Sequence, residues 1–437
     1  MLSSYHLLIY AGAASLAVAV HQFRRRKKIR LATLALEESN KTGMNVPVSL
    51  HPVVDPNLCF GSGACVKACP EKALGIVDGK ATLINASACI GHGACESACP
   101  SQAIKLVFGT SERGVDIPDV SPNFESNVPG IFIAGELGGM GLIRKAAEQG
   151  RQAIQAIKTR LQKHKPNAPL DVVIVGAGPA GISAGLSAIQ HKLNYKLIEQ
   201  EDSFGGTVYH YPRNKVTMTA PVKLDVVGTM NLGTEVKKES LLTFWQGISE
   251  KTGLMFQLGE QMQAISRQED GSFILQTNKQ QYATKTVLLT LGRRGSPRKL
   301  GVPGEEQSKV VYRLIDPEQY RGCHVLVVGG GDSAVEAAVS IAEQPDTTVL
   351  LSYRGNAFSR VKEKNRQKIK PLEGTGRLRV LLESTVSAIG ETDVTIALAD
   401  GTLTAPNNAV IICAGGVMPT AMLQSIGVHF ETKFGTR

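Results

Sequence analysis

The sequence predicts a multi-domain α/β protein with an N-terminal transmembrane helix, a small α+β domain and two nucleotide-binding α/β domains. Three observations predict this: an uncharged apolar N-terminus, a repeated cysteine pattern, and two glycine-rich turns that each follow an apolar strand. The 437 residues suffice for about three folded units, and 43% of them are apolar, so large buried cores are expected. The predicted boundaries are 1–23 for the transmembrane helix, 24–48 for a basic juxtamembrane linker, 49–108 for the cysteine-rich domain, 109–165 and 166–300 for the first nucleotide-binding domain, 301–407 for the second, and 408–437 for a return to the first.

The N-terminal segment Met1–Phe23 contains no Asp, Glu, Lys or Arg, and six basic residues follow within Arg24–Arg30. Such a segment is long enough to cross a hydrocarbon layer of about 30 Å as a helix. Because the positive charge follows the apolar run, a signal peptide is disfavoured, and the positive-inside rule places the later domains in the cytoplasm. The sequence therefore predicts a single-pass anchor in the inner membrane. The basic residues at this predicted membrane boundary account for part of the net charge of +10. No nucleic-acid partner is expected.

Six of the eight cysteines lie within Cys59–Cys99, whereas Cys323 and Cys413 stand alone. The segments CFGSGACVKACP and CIGHGACESACP agree at eight of twelve positions and lie thirty residues apart. A cytoplasmic location argues against a disulfide framework. The pattern resembles the bacterial two-cluster ferredoxin, which is built from two copies of C-x2-C-x2-C-x3-C-P. The resemblance covers about residues 49–108 and implies two iron–sulfur clusters.

In that family the fourth cysteine of each copy binds the cluster of the other copy. The resemblance therefore implies two ligand groups, Cys59 with Cys65 and Cys99, and Cys89 with Cys95 and Cys69. The second cysteine of each copy is replaced, by Ser62 and by His92. Three thiolates suit a [3Fe–4S] cluster, or a [4Fe–4S] cluster whose fourth iron takes another ligand. His92 and Ser62 are candidates for that ligand, and the alternative is that both face solvent.

The first glycine-rich turn lies in DVVIVGAGPAGISAGLSAI, which reads as strand, turn and helix start. Gly176 permits the tight turn, Gly178 lets a pyrophosphate approach, and Gly181 lets the helix pack on the strand. The next strand, YKLIEQ, ends at Glu199, which can accept hydrogen bonds from both ribose hydroxyls. The predicted dinucleotide-binding residues are Gly176, Gly178, Pro179, Ala180, Gly181, Glu199 and Gly206.

The second glycine-rich turn lies in HVLVVGGGDSAVEAA, with Ala334 at the third small position. Its second strand, TVLLSYRG, ends without an acid and presents Arg354 instead. A cation there suits a 2′-phosphate, so NADPH is favoured over NADH; the alternative is a solvated strand end. The predicted residues of this site are Gly329, Gly331, Asp332, Ser333, Arg354 and Arg360.

Two such units in this order resemble the two-dinucleotide-domain flavoproteins of the thioredoxin reductase family. The segments FGGTVYHYP and VLLSYRG are most similar to its bacillithiol-disulfide-reductase-like branch. The resemblance covers most of residues 110–437 and implies two Rossmann-like domains, with FAD on the first and NAD(P)H on the second. Thioredoxin reductases carry a redox CxxC before the second glycine motif, but VVYRLIDPEQYRGC has no cysteine pair. Disulfide exchange needs an attacking and a resolving thiol, so thioredoxin reduction is not expected.

Members of that family end with a segment like VPGIFAAGD and a helix beneath the flavin. In this chain a similar segment, VPGIFIAGE, lies upstream of the first glycine motif. The C-terminal stretch that ends in FETKFGTR contains no such segment. The sequence thus predicts a circularly permuted FAD domain, in which Gly135 and Glu136 face the flavin. The strand Gly130–Ala134 is expected beside Val172–Val175, with a helix from about Ile143 to Lys158 after it. Arg437 is then expected near Gly109–Arg113.

The predicted function is that of a membrane-anchored oxidoreductase that passes electrons between NAD(P)H, FAD and two iron–sulfur clusters. The redox partner is predicted to be an electron-transfer protein, free or membrane-bound. No side-chain acid, base or nucleophile is required, so no catalytic residue is named. Three alternatives stay open: a bacillithiol-type disulfide reductase, a non-enzymatic redox sensor, and an assembly subunit without cofactors. A homodimer is a further open alternative.

Overall fold

The chain folds into two compact units, which a computed structural model describes for residues 2–41, 47, 50–89, 91, 93–111, 114–139, 141–164, 166–233, 235–293, 295–358 and 361–435. The first unit consists of Met1–Val115 with Ala357–Glu363 and Lys433–Arg437. The second consists of Asp116–Asn356 and Lys364–Thr432.

The first unit contains one long helix and a small α+β fold. Its elements are α1 (Leu2–Lys41), β1 (His51–Val54), α2 (Ala64–Ala68), β2 (Leu74–Val77), β3 (Lys80–Leu83), α3 (Ala94–Ser97) and β4 (Ile104–Val107). Strand β1 pairs antiparallel with β4, and β2 pairs antiparallel with β3. The short helices α2 and α3 begin after Gly63 and Gly93, whose φ angles are 72° and 85°. These glycines are thirty residues apart, so the sequence repeat is also a structural repeat. A left-handed φ favours glycine at both positions.

Helix α1 corrects the prediction for the N-terminus. It runs without a break through the basic residues Arg24–Arg30, where the sequence predicted a linker. Over the part of the chain that the structure describes, no helix combines the length and the apolar character needed to cross a membrane. The predicted transmembrane helix, the inner-membrane localisation and the membrane partner are therefore wrong. A spanning helix needs about 20 predominantly apolar residues, and serine, histidine and glycine interrupt the run at positions such as Ser4, His6 and Gly12.

The second unit begins with the half that contains the first glycine motif. Its elements are β5 (Val115–Pro118), β6 (Ile131–Ile133), α4 (Ile143–Lys163), β7 (Val172–Val175), α5 (Pro179–Gln190), β8 (Tyr195–Ile198), β9 (Val216–Met218), β10 (Val222–Leu224), β11 (Gly228–Met230), β12 (Glu235–Lys237), α6 (Lys238–Thr252), β13 (Met262–Arg267), β14 (Phe273–Thr277), β15 (Gln281–Thr284) and β16 (Val287–Leu289). The central sheet has the order β6-β16-β7-β8, and all of its pairs are parallel. Helices α4 and α5 cover it with buried alanine, isoleucine and leucine side chains.

Strand β6 lies in this central sheet, although it precedes the first glycine motif in the sequence. Its neighbour differs from the predicted one, because β16 lies between β6 and β7. Val287, Leu288 and Leu289 of β16 are fully buried, so this short strand occupies the middle of the sheet. Helix α4 also belongs to this half and packs closely on α5. A Cβ at Gly150 would lie 2.0 Å from the carbonyl oxygen of Ala180, so only glycine permits this approach.

The remaining half of the second unit contains the second glycine motif. Its elements are β17 (Ser296–Pro297), β18 (Val310–Val311), β19 (His324–Val328), α7 (Asp332–Ala342), β20 (Thr348–Ser352), α8 (Glu363–Arg366), α9 (Ile369–Gly374), β21 (Leu378–Leu381), β22 (Thr385–Ile389), β23 (Asp393–Leu398), β24 (Gly401–Pro406), β25 (Ala409–Ile412), β26 (Gly416–Val417), α10 (Thr420–Ser425) and β27 (Phe430–Lys433). A parallel sheet of order β18-β25-β19-β20-β21 forms its core, and β22-β23-β24 form an antiparallel sheet. Strand β27 pairs with β5.

The predicted proximity of Arg437 to Arg113 falls on residues outside those that the structure describes. Close by in the sequence, the backbone N–H of Gly435 donates to the carbonyl of Phe108 at 2.8 Å. Gly435 also lies beside Thr110 and Ser111. The two chain segments on either side of the predicted junction are therefore neighbours.

Candidate cofactor-binding sites

The six clustered cysteines form two groups, and each group combines both repeats. Cys69, Cys89 and Cys95 line one cavity. In the other group, burial raises the pKa of Cys65, and the nearby Cys59 and Cys99 add to this rise. The structure thus brings together the same two sets of thiols that the ferredoxin resemblance implies.

Backbone N–H groups donate to two of the six thiols. The backbone N–H of Ala81 donates to Cys59 Sγ at 3.4 Å, and that of Ala103 donates to Cys99 Sγ at 3.3 Å. Hydrogen bonds to sulfur are one means by which proteins tune iron–sulfur clusters. Within the described ranges, no three His, Cys, Asp or Glu side chains converge as ligands of one ion would. Cluster thiolates bind separate irons, so a wider spacing is expected.

Burial disfavours the ionised form of three of these thiols, Cys65, Cys89 and Cys95. It raises the pKa of Cys95 to about 11, and Cys89 and Cys69 contribute to the rise. For Cys99 burial also acts upwards, but hydrogen bonds from Ser101 and Ala103 leave its pKa below the ordinary value. A coordinating metal deprotonates a thiol outright. The two groups therefore fit metal-bound thiolates.

Of the two residues that replace cysteine, the structure describes only Ser62. Ser62 is exposed, and its Oγ accepts a hydrogen bond from the backbone N–H of Ala64 at 3.4 Å. This contact gives the hydroxyl a role at the start of α2. His92 lies outside the residues that the structure describes. Iron ligation by either residue stays a prediction.

A second candidate site forms where the parallel strands of the first sheet end. Strand β6 leads to Gly135 and Glu136, and β7 leads to Gly178. A Cβ at Gly206 would lie 2.9 Å from Gly178 Cα, and one at Gly292, after β16, would lie 3.5 Å from Glu136 Oε2. Ligands of open α/β sheets bind at the carboxyl ends of the strands. The predicted residues before and after the first glycine motif therefore meet at one edge.

The start of α5 has the features of a phosphate-binding turn. The helix begins after Gly178 with Pro179 in its first turn, and no described side chain caps its N-terminus. Its first backbone N–H groups are thus available to an anion. A Cβ at Gly181 would lie 1.8 Å from the carbonyl oxygen of Gly176, and Gly176 has a φ of 106°. Both positions require glycine for the reasons that the motif predicts.

Glu199 stands at the end of β8 and is only 7% exposed. Its Oε2 accepts from the N–H of Ala177 at 2.7 Å, and its Oε1 accepts from the N–H of Glu201 at 3.2 Å. Burial raises the pKa of this carboxyl, although these hydrogen bonds act in the opposite direction. Each carboxylate oxygen has more than one acceptor direction. Glu199 can therefore hold the glycine turn and still accept a ribose hydroxyl.

Arg293 is a candidate residue that the sequence analysis missed. Its Nη2 donates to the carbonyl of Asp116 at 2.9 Å, and its buried Nη1 has no hydrogen-bond partner among the described residues. Burial lowers the pKa of Arg293, while the charges of Glu136 and Asp116 oppose that change. A buried donor without a partner is costly, and a bound anionic ligand would satisfy it. The available signal was its position four residues beyond the end of the buried strand β16.

The second glycine motif forms a similar turn. Helix α7 begins after Gly331, and a Cβ at Gly329 would lie 2.5 Å from the carbonyl oxygen of Cys413. Gly330 lies against Tyr353, whose ring atom Cε2 would be 2.1 Å from an added Cβ. The middle glycine of the GGG run is thus explained by Tyr353, a neighbour that the sequence analysis did not identify.

The predicted polar residues of this second site are only partly brought together. Asp332 accepts a hydrogen bond from Asn365 Nδ2 at 2.8 Å, and the same amide donates to Glu336 at 3.0 Å. Ser333 follows in the first turn of α7, and Arg354 is exposed just after β20. Arg360 lies outside the described part of the chain. The exposure of Arg354 leaves its guanidinium accessible to a ligand.

Comparison with known proteins identifies the class to which these sites belong. Residues 173–434 match the family Pyridine nucleotide-disulphide oxidoreductase, and residues 51–100 match the 4Fe-4S dicluster domain. The first match covers more than half of the chain. The chain therefore belongs to the pyridine nucleotide-disulphide oxidoreductase family, and it is an FAD-dependent oxidoreductase with a 4Fe-4S domain. The predicted family resemblance and enzyme class are confirmed.

Individual relatives include two kinds of reductase. Bacilliredoxin reductase Bdr of Bacillus subtilis (strain 168) is 25% identical over 268 residues, which are 60% of this chain and 82% of that protein. Ferredoxin–NADP reductase 2 of Shouchella clausii (strain KSM-K16) is 33% identical over 193 residues, or 43% of this chain and 55% of that protein. The chain thus spans little more than half the length of this ferredoxin–NADP reductase.

A solved structure supports the fold. Bacillithiol Disulfide Reductase Bdr from Staphylococcus aureus matches with a TM-score of 0.52 and 21% identity, over 59% of this chain and 80% of that chain. At this level of identity the similarity establishes a thioredoxin-reductase-like fold alone.

Proposed function

We propose that this chain passes electrons between NADPH and a redox partner protein, by way of FAD and two iron–sulfur clusters. When bound, FAD takes up two electrons as a hydride and releases them singly, which matches a two-electron nicotinamide to one-electron clusters. The observation that carries the proposal is the convergence of Cys69, Cys89 and Cys95 from both repeats around one cavity, in a chain that also has two glycine turns. Similarity to a protein named as a ferredoxin–NADP reductase favours the same class of reaction.

The chain's own residues would bind and orient these groups. The first turn of α5 would hold the FAD pyrophosphate, and Glu199 would accept from the adenosine ribose. Glu136 and Arg293 would flank the flavin side of the site, and their charges are of opposite sign. The turn before α7 would hold the NADPH pyrophosphate, with Arg354 near the 2′-phosphate. The two cysteine groups would supply three thiolates to each cluster, and His92 and Ser62 are candidates for a fourth ligand.

The test is the composition of anaerobically purified chain. We expect about one FAD and six to eight irons per chain, by the cluster types that such ligand groups hold. Addition of NADPH should bleach both the flavin and the cluster absorbance. Cys95→Ser should lower the iron content, whereas the matched control Cys323→Ser should leave it unchanged. Iron near zero in the unmodified chain would contradict the proposal.

A disulfide reductase activity is the second candidate, because the chain is similar to a bacilliredoxin reductase. The sequence has no CxxC, and six of its eight cysteines belong to the two groups. Disulfide exchange would then need a thiol pair that the chain does not provide. NADPH oxidation should therefore not accelerate when a low-molecular-weight disulfide is added. Acceleration that survives Cys323→Ser and Cys413→Ser would favour this second candidate.

We also propose that the FAD domain is circularly permuted. The support is the place of β6 and α4, which precede the glycine motif but pack within its sheet and against α5. The hydrogen bond between Gly435 and Phe108 supports a former connection at that point. A rearranged chain, running from Pro166 to Gly435 and then from Gly109 to His164, should bind FAD. Deletion of 109–164 from that chain is the control and should abolish binding; equal binding by both would contradict the permutation.

A further inference from the structure

One of the differences between the two repeats lies two residues after the last cysteine of each. The repeats read Cys69-Pro70-Glu71 in the first copy and Cys99-Pro100-Ser101 in the second, thirty residues apart. A carboxylate thus stands in the first copy where a hydroxyl stands in the second. Because each last cysteine belongs to the group of the other copy, this difference separates the two candidate cluster sites.

Glu71 brings negative charge to the site of Cys69, Cys89 and Cys95. It is half-buried and lines the same cavity as these three thiols. The carboxylate therefore lies close enough to this site for its field to act on a sulfur ligand.

The other site has hydrogen-bond donors and a cation in its surroundings. Ser101 Oγ lies 3.7 Å from Cys99 Sγ, and the N–H of Ala103 donates to the same sulfur at 3.3 Å. Lys80 Nζ donates to the carbonyl oxygen of Cys59 at 2.6 Å, which holds an ammonium next to a second ligand of this group. Both features stabilise added negative charge.

We propose that Glu71 and Ser101 make the two cluster sites unequal, so that the cluster of Cys59, Cys65 and Cys99 has the higher reduction potential. This inference rests on the proposed iron–sulfur function. Reduction of a cluster adds one electron and changes no bonds, so its free energy depends directly on nearby charges. Glu71 opposes that added charge at one site, while Lys80 and the donors to Cys99 favour it at the other. An electron that enters the dicluster domain therefore comes to rest at the Cys59 site.

The test is an anaerobic redox titration of the full chain, followed by electron paramagnetic resonance. Glu71→Gln removes the charge but keeps the shape of the side chain. It should raise the lower of the two reduction potentials by about 59 mV, which for one electron corresponds to about a tenfold change in the equilibrium constant. The higher reduction potential should not change. Glu71→Ser copies the second repeat and should give the same direction. Glu37→Gln, which removes an exposed carboxylate from α1, is the control for net charge and should shift neither potential.

Two results would overturn the inference while the proposed function stands. One is a chain with full iron in which neither Glu71 variant moves a potential. The other is a shift of the higher potential instead of the lower one. Absence of iron in the unmodified chain is a different outcome, because it would overturn the proposed function and this inference with it.

Discussion

Gly150 offers a sharp test of whether the segment before the first glycine motif is an integral part of the FAD-binding half. It lies in the interior of α4, where a Cβ would stand 2.0 Å from the carbonyl oxygen and 2.8 Å from the carbonyl carbon of Ala180. Both atoms are backbone of α5, so they cannot rotate away as a side chain would. Gly150→Ala must therefore push the two helices apart by more than about 1 Å to restore ordinary contact distances.

The magnitude follows from two opposing effects. Alanine is a better helix former than glycine by about 1 kcal/mol, which alone would stabilise α4. Overpacking a rigid contact costs about 1–3 kcal/mol, and the upper end applies because backbone faces backbone. We expect a net loss of about 2 kcal/mol in the free energy of unfolding. For a domain of this size the midpoint temperature should fall by roughly 4–8 °C.

The control is Gly247 in α6, where nothing lies within 4 Å of an added Cβ. Gly247→Ala should stabilise the chain by about 0.5–1 kcal/mol, because only the helix-forming effect remains. The assay is the release of FAD fluorescence during thermal unfolding of both variants and the unmodified chain. If Gly150→Ala were as stable as Gly247→Ala, the close contact between α4 and α5 would be refuted, and with it the place of α4 in this half.

Three further predictions concern ligand binding. Burial raises the pKa of Glu199 above its ordinary value of 4.5, so the carboxylate opposes folding of the cofactor-free chain at neutral pH, and this cost disappears as the pH falls below about 4.5. Glu199→Gln should therefore remove this pH dependence of cofactor-free stability in urea, while FAD affinity by fluorescence titration falls about ten- to a hundredfold through loss of a charged acceptor worth about 1.5–3 kcal/mol. Arg354→Ala should weaken the binding of NADPH about tenfold and that of NADH little, since only NADPH has the 2′-phosphate. The control Arg379→Ala, on the neighbouring strand, should affect the binding of neither nucleotide. Equal losses for both nucleotides would make Arg354 structural. If Nη1 of Arg293 donates a hydrogen bond to FAD, Arg293→Met should lower the affinity for FAD about tenfold and Arg293→Lys much less. Full FAD affinity in the Met variant would contradict that role.

The sequence was informative wherever function depends on short-range geometry. The cysteine motifs supported the ferredoxin resemblance that implied which thiols meet, because such motifs depend on local turns like those at Gly63 and Gly93. The glycine turns and Glu199 were predicted for the same reason: a strand, a tight turn and a helix are set by neighbouring residues. Contacts made by distant residues were not predictable in this way. Arg293 and Tyr353 acquire their surroundings only when separate strands align, and the sequence analysis did not identify Glu71.

The N-terminus shows a different limit. Apolar composition over Met1–Phe23 predicted a membrane span, but leucine, alanine, arginine and lysine are all good helix formers, so one helix continues to Lys41. Helix α1 packs on β2, where a Cβ at Gly75 would lie 2.7 Å from Ala32 Cβ. This contact lies beyond the apolar run, and the sequence did not predict it.

The place of β6 shows that strand direction matters more for this site than order along the chain. Ile131, Phe132 and Ile133 are each about 1% exposed, so the sheet gains the same buried apolar surface wherever the chain enters it. Because β6 runs parallel to β16 and β7, its carboxyl end delivers Gly135 and Glu136 to the edge that holds Gly178. An antiparallel strand in the same position would place those residues at the opposite edge, away from the glycine turn. The neighbour of β6 was predicted wrongly, because β16 lies between β6 and β7, but the parallel direction keeps Gly135 and Glu136 at the same edge as Gly178.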